Sequence, residues 1–387
     1  MSSRSHYDTI VIGVGGMGSA AVYHLASRGQ NVLGIEQFDI PNDLGSSGGI
    51  TRVIRLSYHE DPSYVPLVIR AFELWRELQE SAGEQLLHPT GSVHAGPPGS
   101  PIFEDSLRSC REHGLSHEVL SGAEIGKRFP GYRLPSDHMG VYQEGGGFLV
   151  ADRCIIAHVT AAQALGAEIH AREKVLDWEV LAGKVRVETD RGMYEAEKLV
   201  IAAGAWASKQ VPLLASVAVP ERQVLGWFQP LRPELFTPEA FPVFGLVAEE
   251  GRFYGFPVFG VPGFKVGKYH HFGEEGDPDE LDRELHPRDE DVLRTFTERY
   301  FPDAAGPTMA LKVCMFTNTP DGHFIIGTHP DHAQVMFAAG FSGHGFKFSS
   351  IVGEILADLA VEGETTHDIR LFDPRRFSSL VGGQGQR

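Results

Sequence analysis

The stretch from Tyr7 to Glu36 constrains this chain more than any other. Tyr7-Asp8-Thr9-Ile10-Val11-Ile12 is a β-rich apolar run that breaks at Gly13-Val14-Gly15-Gly16-Met17-Gly18. A helical pattern follows from Ser19 to Arg28, stops at Gly29, and leads into a strand from Asn31 to Ile35 that ends on Glu36. Strand, G-x-G-x-x-G, helix, strand and acid, in that order, make a dinucleotide-binding unit. Gly13 permits the tight turn, Gly15 lets a pyrophosphate approach the backbone, and Gly18 lets the helix pack closely on the sheet. The helix N-terminus offers free N–H groups and a partial positive charge to the phosphates. Glu36 can accept hydrogen bonds from a ribose diol, where an NADP site would avoid a carboxylate. The motif fixes a nucleotide, leaves FAD and NAD equally open, and says nothing of the reaction.

At 387 residues the chain is long enough for two domains sharing a large core. It contains no apolar run of the roughly 18 residues that a membrane-spanning helix needs. Met1 to His6 is short and polar and passes straight into the first strand, which reads as no secretory signal. Three cysteines, Cys110, Cys154 and Cys314, are too few for a disulfide framework and suit a reducing cytoplasm. A net charge of −17 argues against general nucleic-acid or anionic-membrane binding. An anionic substrate would have to be drawn in by a local basic pocket. The histidines are scattered, and no metal-ligand cluster is visible.

Taken in order, Phe38 to Ile50 reads as a loop at the C-terminal edge of the sheet, where open α/β sheets bind ligands. Thr51-Arg52-Val53-Ile54-Arg55 follows, for which the bland reading is a solvated helix face. Pro62 to Ala82 is an amphipathic helix with Val65, Val68, Phe72, Trp75 and Leu78 on one face and Gly83 as its stop. Residues 86–149 turn to short β-like pieces rich in Gly and Pro. A helix from Asp152 to Leu165, several short strands, and the buried run Lys198 to Trp206 come next. Residues 217–315 return to aromatic-rich β patterning and close with a charged helix from about Asp289 to Tyr300. Val335 to Gly340 is one more buried strand, leading through Phe341-Ser342-Gly343-His344-Gly345-Phe346-Lys347 into a helix that continues to Leu359. The expected organisation is α/β. A discontinuous Rossmann-like domain of residues 1–85, 150–216 and 316–387 alternates with a substrate domain of residues 86–149 and 217–315, built on a mixed or antiparallel sheet.

Two further glycine turns, Ala203-Gly204-Ala205-Trp206 and Phe341-Ser342-Gly343-His344-Gly345, separate FAD from NAD, because an NAD Rossmann domain usually finishes as one contiguous block. The interleaved layout resembles the glutathione-reductase-like FAD amine oxidases. It resembles specifically the monomeric sarcosine oxidase and N-methyltryptophan oxidase family. The matching stretches are the first glycine loop, Thr51 to Arg55, Tyr254-Gly255-Phe256-Pro257, Lys265-Val266-Gly267, Val313-Cys314-Met315, and the long run Ala338 to Ser350. They span almost the whole chain and keep family order.

The resemblance implies FAD-dependent oxidation of a secondary α-amino acid by O₂. Sarcosine is the first expectation; N-methyltryptophan, proline or pipecolate are the alternatives within enzymes, and a non-catalytic flavin-binding amino-acid sensor is the alternative outside them. It implies a thioether from Cys314 to the flavin, and a substrate carboxylate held by Arg55 and Lys347. It places Lys265 beside the flavin, where a fixed cation favours electron delivery to O₂, and Arg52 near the ring as a tuning group. Tyr254 and His270 are implied over the substrate amine, although one extra residue in Lys268-Tyr269-His270-His271 lets Tyr269 or His271 fill that place. The remaining implied cofactor contacts are Gly13, Gly15, Gly18, Glu36, Thr51, Gly204, Trp206, Met315, Gly343, His344, Gly345 and Phe346, with no metal and a monomeric chain. Two departures stand out: Gly48 where relatives carry a histidine facing the flavin, and Phe316 where they often carry a tyrosine. Both imply slower flavin attachment and a more apolar pocket.

Overall fold

The computed structural model describes residues 6–377; the polar start at 1–5 and the end of the last expected segment, 378–387, lie outside the described residues. The first strand, His6–Ile12, has parallel neighbours on both sides, Val32–Ile35 and Met193–Ile201. It is buried beyond its first residues, so every inward position is apolar or small. The sheet has eight strands. Glu168–His170 extends it in parallel beyond Val32–Ile35. Met193–Ile201 divides its far edge, pairing antiparallel with Lys184–Thr189 along its first half and parallel with Val335–Ala339 along its second.

The helix Gly16–Ser27 covers one face and packs against Ala151–Ala164 and the last helix, Ser349–Val361. That last contact is intimate, because a Cβ on Gly353 would lie 2.5 Å from Ala20. Tyr64–Ala82 lies on Ser349–Val361 and ends at Gly83, whose φ of +62° closes the helix in the left-handed conformation. Its Val65, Val68, Phe72, Trp75 and Leu78 are all buried, so the stripe read from the sequence is core.

A second sheet, also of eight strands, runs Thr308–Asn318, Val219–Phe228, Phe264–Lys268, Gly251–Phe256, Val243–Ala248, Ser92–Gly96, Met139–Gln143, Glu118–Ser121. It is antiparallel except where Val243–Ala248 meets Ser92–Gly96 in parallel, hence a mixed sheet. Phe228, Phe244, Phe253 and Phe264 project into a core closed by Phe296 of the helix Pro287–Tyr300 and by Phe301. Each such ring contributes roughly 1.5–3 kcal/mol on burial. Phe253 and Phe296 stack with centroids 3.8 Å apart. A small antiparallel sheet, Thr51–Ile54, Gly147–Val150 and Leu87–Pro89, stands apart from the two large ones.

Two local readings change. Thr51–Ile54 is a strand and not a solvated helix face; its β-branched residues pair with Gly147–Val150 and fix where Arg52 and Arg55 emerge. Residues 86–149 also hold two helices, Pro101–Glu112 and Gly122–Arg128. The first begins with Pro101 at its N-terminal turn, and the second carries a capping box between Ser121 and Glu124. Both signals are present in the sequence and were masked by the surrounding glycines and prolines.

Candidate active site

One cavity of about 470 Å³ runs from the first glycine loop to the face of the second sheet. At its nucleotide end Gly13 has φ +86°, and a Cβ there would meet the Ala202 carbonyl at 2.6 Å. A Cβ on Gly18 would fall 1.7 Å from the Gly13 carbonyl oxygen, so only glycine lets the helix start this close to the strand. Gly15 caps the helix, and a Cβ there would meet nothing within 4 Å. That open space over unpaired helix N–H groups is the form of a pyrophosphate cradle. The Glu36 carboxylate accepts the N–H of Val14 at 2.9 Å and of Phe38 at 3.0 Å. Burial raises its pKa, and these backbone bonds oppose the rise. Gly204 and Trp206 line the same end, with the Trp206 indole N–H donating to Asp279 at 2.7 Å.

Cys314 and Met315 line the middle of the cavity from the strand Thr308–Asn318. Cys314 is a buried free thiol; burial pushes its pKa up, while Arg52, Lys265 and Lys312 pull it down. Arg52 also lines the cavity and spends its guanidinium on the carbonyls of Thr51 at 2.9 Å, Ser46 at 2.8 Å, and Gly48. It thereby ties down the loop that precedes it. Lys265 stands behind the wall rather than on it. Its ammonium donates to the Gly49 carbonyl at 2.6 Å, the Thr51 carbonyl at 2.8 Å and the Thr51 hydroxyl at 3.0 Å, and lies 4.3 Å from the Phe256 ring centroid. Burial, helped by the Arg52 charge, holds its pKa well below the ordinary lysine value. Thr51 is buried and does not line the cavity either; it acts as a ligand of Lys265.

At the other end Arg55 and Lys347 reach the cavity from distant parts of the chain. The Arg55 guanidinium lies 4.2 Å and the Lys347 ammonium 5.5 Å from the centroid of Tyr58. Arg55 donates to Ser57 O at 2.6 Å and to Glu60 at 2.5 Å; Lys347 donates to His344 O at 2.7 Å. Burial, followed by the Arg55 charge, holds the Lys347 pKa well down. Tyr58 is itself oriented by His344. The Gly322 carbonyl, 2.9 Å from His344 Nε2, can only accept, so Nε2 carries the proton and Nδ1 accepts from the Tyr58 hydroxyl at 2.6 Å. Burial lowers the His344 pKa to about 3, which keeps the ring neutral.

Gly343, Gly345 and Phe346 line the cavity with His344; Gly343 has φ +76° and presses against the Phe316 ring. Tyr254 and Tyr269 both line it, edge to face with centroids 5.2 Å apart. His270 does not. Its side chain is 64% exposed and pairs with Glu221 at 2.8 Å on the outside. His271 is buried against Asp289 at 2.8 Å, away from the cavity. The extra residue in this loop is absorbed by positive φ at His270 and His271, which turns both rings off the wall and leaves Tyr269 on it. Gly48 is not on the wall; a Cβ there would meet Asp43 Oδ1 at 2.8 Å, so the exposed Asp43 side chain would have to move aside for a larger residue. Sequence reasoning missed His59, His94 and Arg252, which complete this end. Isolated on short strands and loops, they carry no motif. Among the described residues there is no cluster suited to a metal ion, and no helix long and apolar enough to cross a membrane.

A glycine-loop nucleotide cradle opening into a cation-lined chamber on a second sheet is the arrangement of a nucleotide-dependent enzyme. Residues 8–359 match the family described as FAD dependent oxidoreductase, and the chain belongs to that family. It is 42% identical over 380 residues to the monomeric sarcosine oxidase of Bacillus sp. (strain B-0618), covering 96% of both chains. It is 43% identical over 383 residues to the monomeric sarcosine oxidase of Streptomyces avermitilis, covering 96% of this chain and 98% of that one. Among solved structures, NikD, an unusual amino acid oxidase essential for nikkomycin biosynthesis, superposes with a TM-score of 0.83 at 27% identity, covering 96% and 98% of the two chains.

Proposed function

We propose that this protein is a sarcosine oxidase of the monomeric type: sarcosine, O₂ and water give glycine, formaldehyde and hydrogen peroxide. The observation that carries the reading is the placement of Arg55 and Lys347 around one tyrosine ring, in the same cavity as the glycine-loop cradle. The reading takes residues 1–85, 150–216 and 316–387 as the FAD domain and 86–149 with 217–315 as the substrate domain. FAD, when bound, supplies the two-electron acceptor for the carbon next to nitrogen and the donor to O₂.

The chain's own residues do the rest. Arg55 presents a two-pronged donor and Lys347 a point charge to the substrate carboxylate, orienting the N-methyl group toward the middle of the cavity. Tyr254 and Tyr269 wall the amine. A chamber already holding buried cations disfavours an ammonium, so the substrate is held as the neutral amine without a dedicated base. Lys265 stands behind Arg52 and close to Cys314; its hydrogen bonds to the Gly49 and Thr51 carbonyls support a proton there against the burial that lowers its pKa, and that proton would meet negative charge developing on O₂. Cys314 would anchor the flavin through a thioether; burial raises the pKa of its thiol, and the charges of Arg52, Lys265 and Lys312 oppose that rise.

The test is an aerobic assay of the purified yellow holoenzyme with sarcosine, measuring oxygen uptake, formaldehyde and peroxide together. One peroxide and one formaldehyde per sarcosine is the expected result. A holoenzyme that consumes no oxygen with sarcosine, N-methyltryptophan, L-proline or pipecolate would overturn the oxidase reading.

A further inference from the structure

The carboxylate pair is not the whole of the basic end. Arg252, on the strand Gly251–Phe256, also lines the cavity, together with His59 and His94. Its guanidinium lies 3.9 Å from the Tyr269 ring centroid. Arg55 and Arg252 grip opposite oxygens of one carboxylate, that of Glu60, at 2.5 and 3.1 Å. Glu60 is not on the cavity wall; it sits behind the two arginines. The cations therefore face the chamber and their counter-charge lies at their backs. At this end of the cavity, Arg55, Arg252 and Lys347 line the wall and no carboxylate does.

Three polar atoms of this wall are left over. His59 Nε2 lies 2.5 Å from the Arg252 guanidinium and 3.0 Å from Glu60 Oε1, so that edge of the ring is committed to this pair and Nδ1 is the edge left over. His59 Nδ1, Arg252 Nε and His94 Nδ1 are all buried without a hydrogen-bond partner. Buried polar atoms left unpaired are costly, which is a reason to look for the group that would satisfy them. Sarcosine brings one carboxylate and no side chain, so it serves Arg55 and Lys347 and leaves this second patch bare.

We infer that Arg252, His59 and His94 form a subsite for an acidic substrate side chain, so that the preferred substrates are N-alkyl amino dicarboxylic acids. This rests on the oxidase reading for its chemistry, with the same C–N bond oxidised; the anion site itself stands on the geometry alone. Because both arginines share one carboxylate, their guanidinium groups are a short distance apart. One or two methylene groups between substrate carboxylates span it, as in N-methylaspartate and N-methylglutamate.

Binding to the holoenzyme tests the subsite without turnover. Succinate and glutarate, compared with butyrate and pentanoate by calorimetry, should show one dicarboxylate at least tenfold tighter than the monocarboxylates. Arg252→Leu should abolish that ratio and Arg252→Lys should restore part of it. In turnover, each enantiomer of N-methylaspartate and N-methylglutamate is compared with N-methylglutamine and N-methylleucine. At least a tenfold advantage in kcat/KM for an acidic side chain is expected. Dicarboxylates binding within threefold of monocarboxylates would overturn the inference, even in an enzyme that oxidises sarcosine well. Tight dicarboxylate binding with no oxidation of any amine would instead sink the oxidase reading and leave the anion subsite standing.

Discussion

Arg55 and Lys347 share the ring of Tyr58, at 4.2 and 5.5 Å from its centroid, although one follows an early strand and the other precedes the last helix. The ring spaces two cations that would otherwise repel in a buried site, and His344 holds it in place. Lys347 is the cleaner of the two to remove, since the only hydrogen bond of its ammonium among the described residues is to the His344 carbonyl. Arg55 also pairs with Glu60, so its loss would leave one oxygen of that buried carboxylate without its partner. Lys347→Met removes one charge-assisted bond to the substrate carboxylate, about 1.5–3 kcal/mol. The KM for sarcosine should rise roughly 10- to 150-fold, with the melting temperature nearly unchanged. Steady-state kinetics beside a thermal melt checks this; an unchanged KM removes Lys347 from the carboxylate site.

Lys265 makes a different prediction because it stands behind the wall. Its ammonium satisfies two carbonyls and a hydroxyl, so it both supports the loop at Gly49–Thr51 and supplies a fixed charge. Lys265→Met should slow reoxidation by O₂ by about 10²–10³-fold. Anaerobic reduction by substrate should change much less. Stopped-flow measurement of the two half-reactions separates them; equal losses in both would mean that Lys265 only holds the loop.

For Cys314 the observable is attachment. Precipitation of the wild-type protein in trichloroacetic acid should leave the yellow colour in the pellet, and Cys314→Ser should release it to the supernatant. Colour lost from the wild-type pellet would show that the flavin is not covalently held.

Much of this architecture could be read from residues whose role is local. Gly13, Gly15 and Gly18 act through backbone geometry, which a spacing pattern reports directly, and the buried stripe of Tyr64–Ala82 follows from helical periodicity. The interleaving of the two sheets could be read because small-residue turns mark where strands of the first sheet end. What could not be read is whatever depends on register in three dimensions. His270 differs from Tyr269 by one position, and only the positive φ of the turn decides which ring faces the cavity. Thr51 to Arg55 carries no alternation strong enough to distinguish strand from helix until Gly147–Val150 pairs with it. Arg252, His59 and His94 come from three separate elements, so their convergence belongs to the fold and leaves no trace in spacing.

The buried histidines should make the fold labile to acid. Burial lowers His24 to about 4, against the charge of Glu354, and His344 to about 3. Burial holds His59, His94 and His158 well below the ordinary value too. In each case the folded pKa lies below that of the unfolded chain, near 6.5, so the unfolded state takes up protons first. The stability these groups contribute is therefore complete above pH 6.5 and is lost as the pH falls toward the folded pKa values. For His24 and His344 the loss reaches roughly 2 kcal/mol each by pH 5. Glu354 continues the decline below the carboxylate range: burial works to raise it, but hydrogen bonds from His367 and Arg70 prevail and hold it at about 2. The urea midpoint of the holoenzyme should drop steeply between pH 6.5 and 4.5, and His24→Leu should make that drop shallower by about one proton. A midpoint that is flat across this range would mean that these histidines are already charged in the fold.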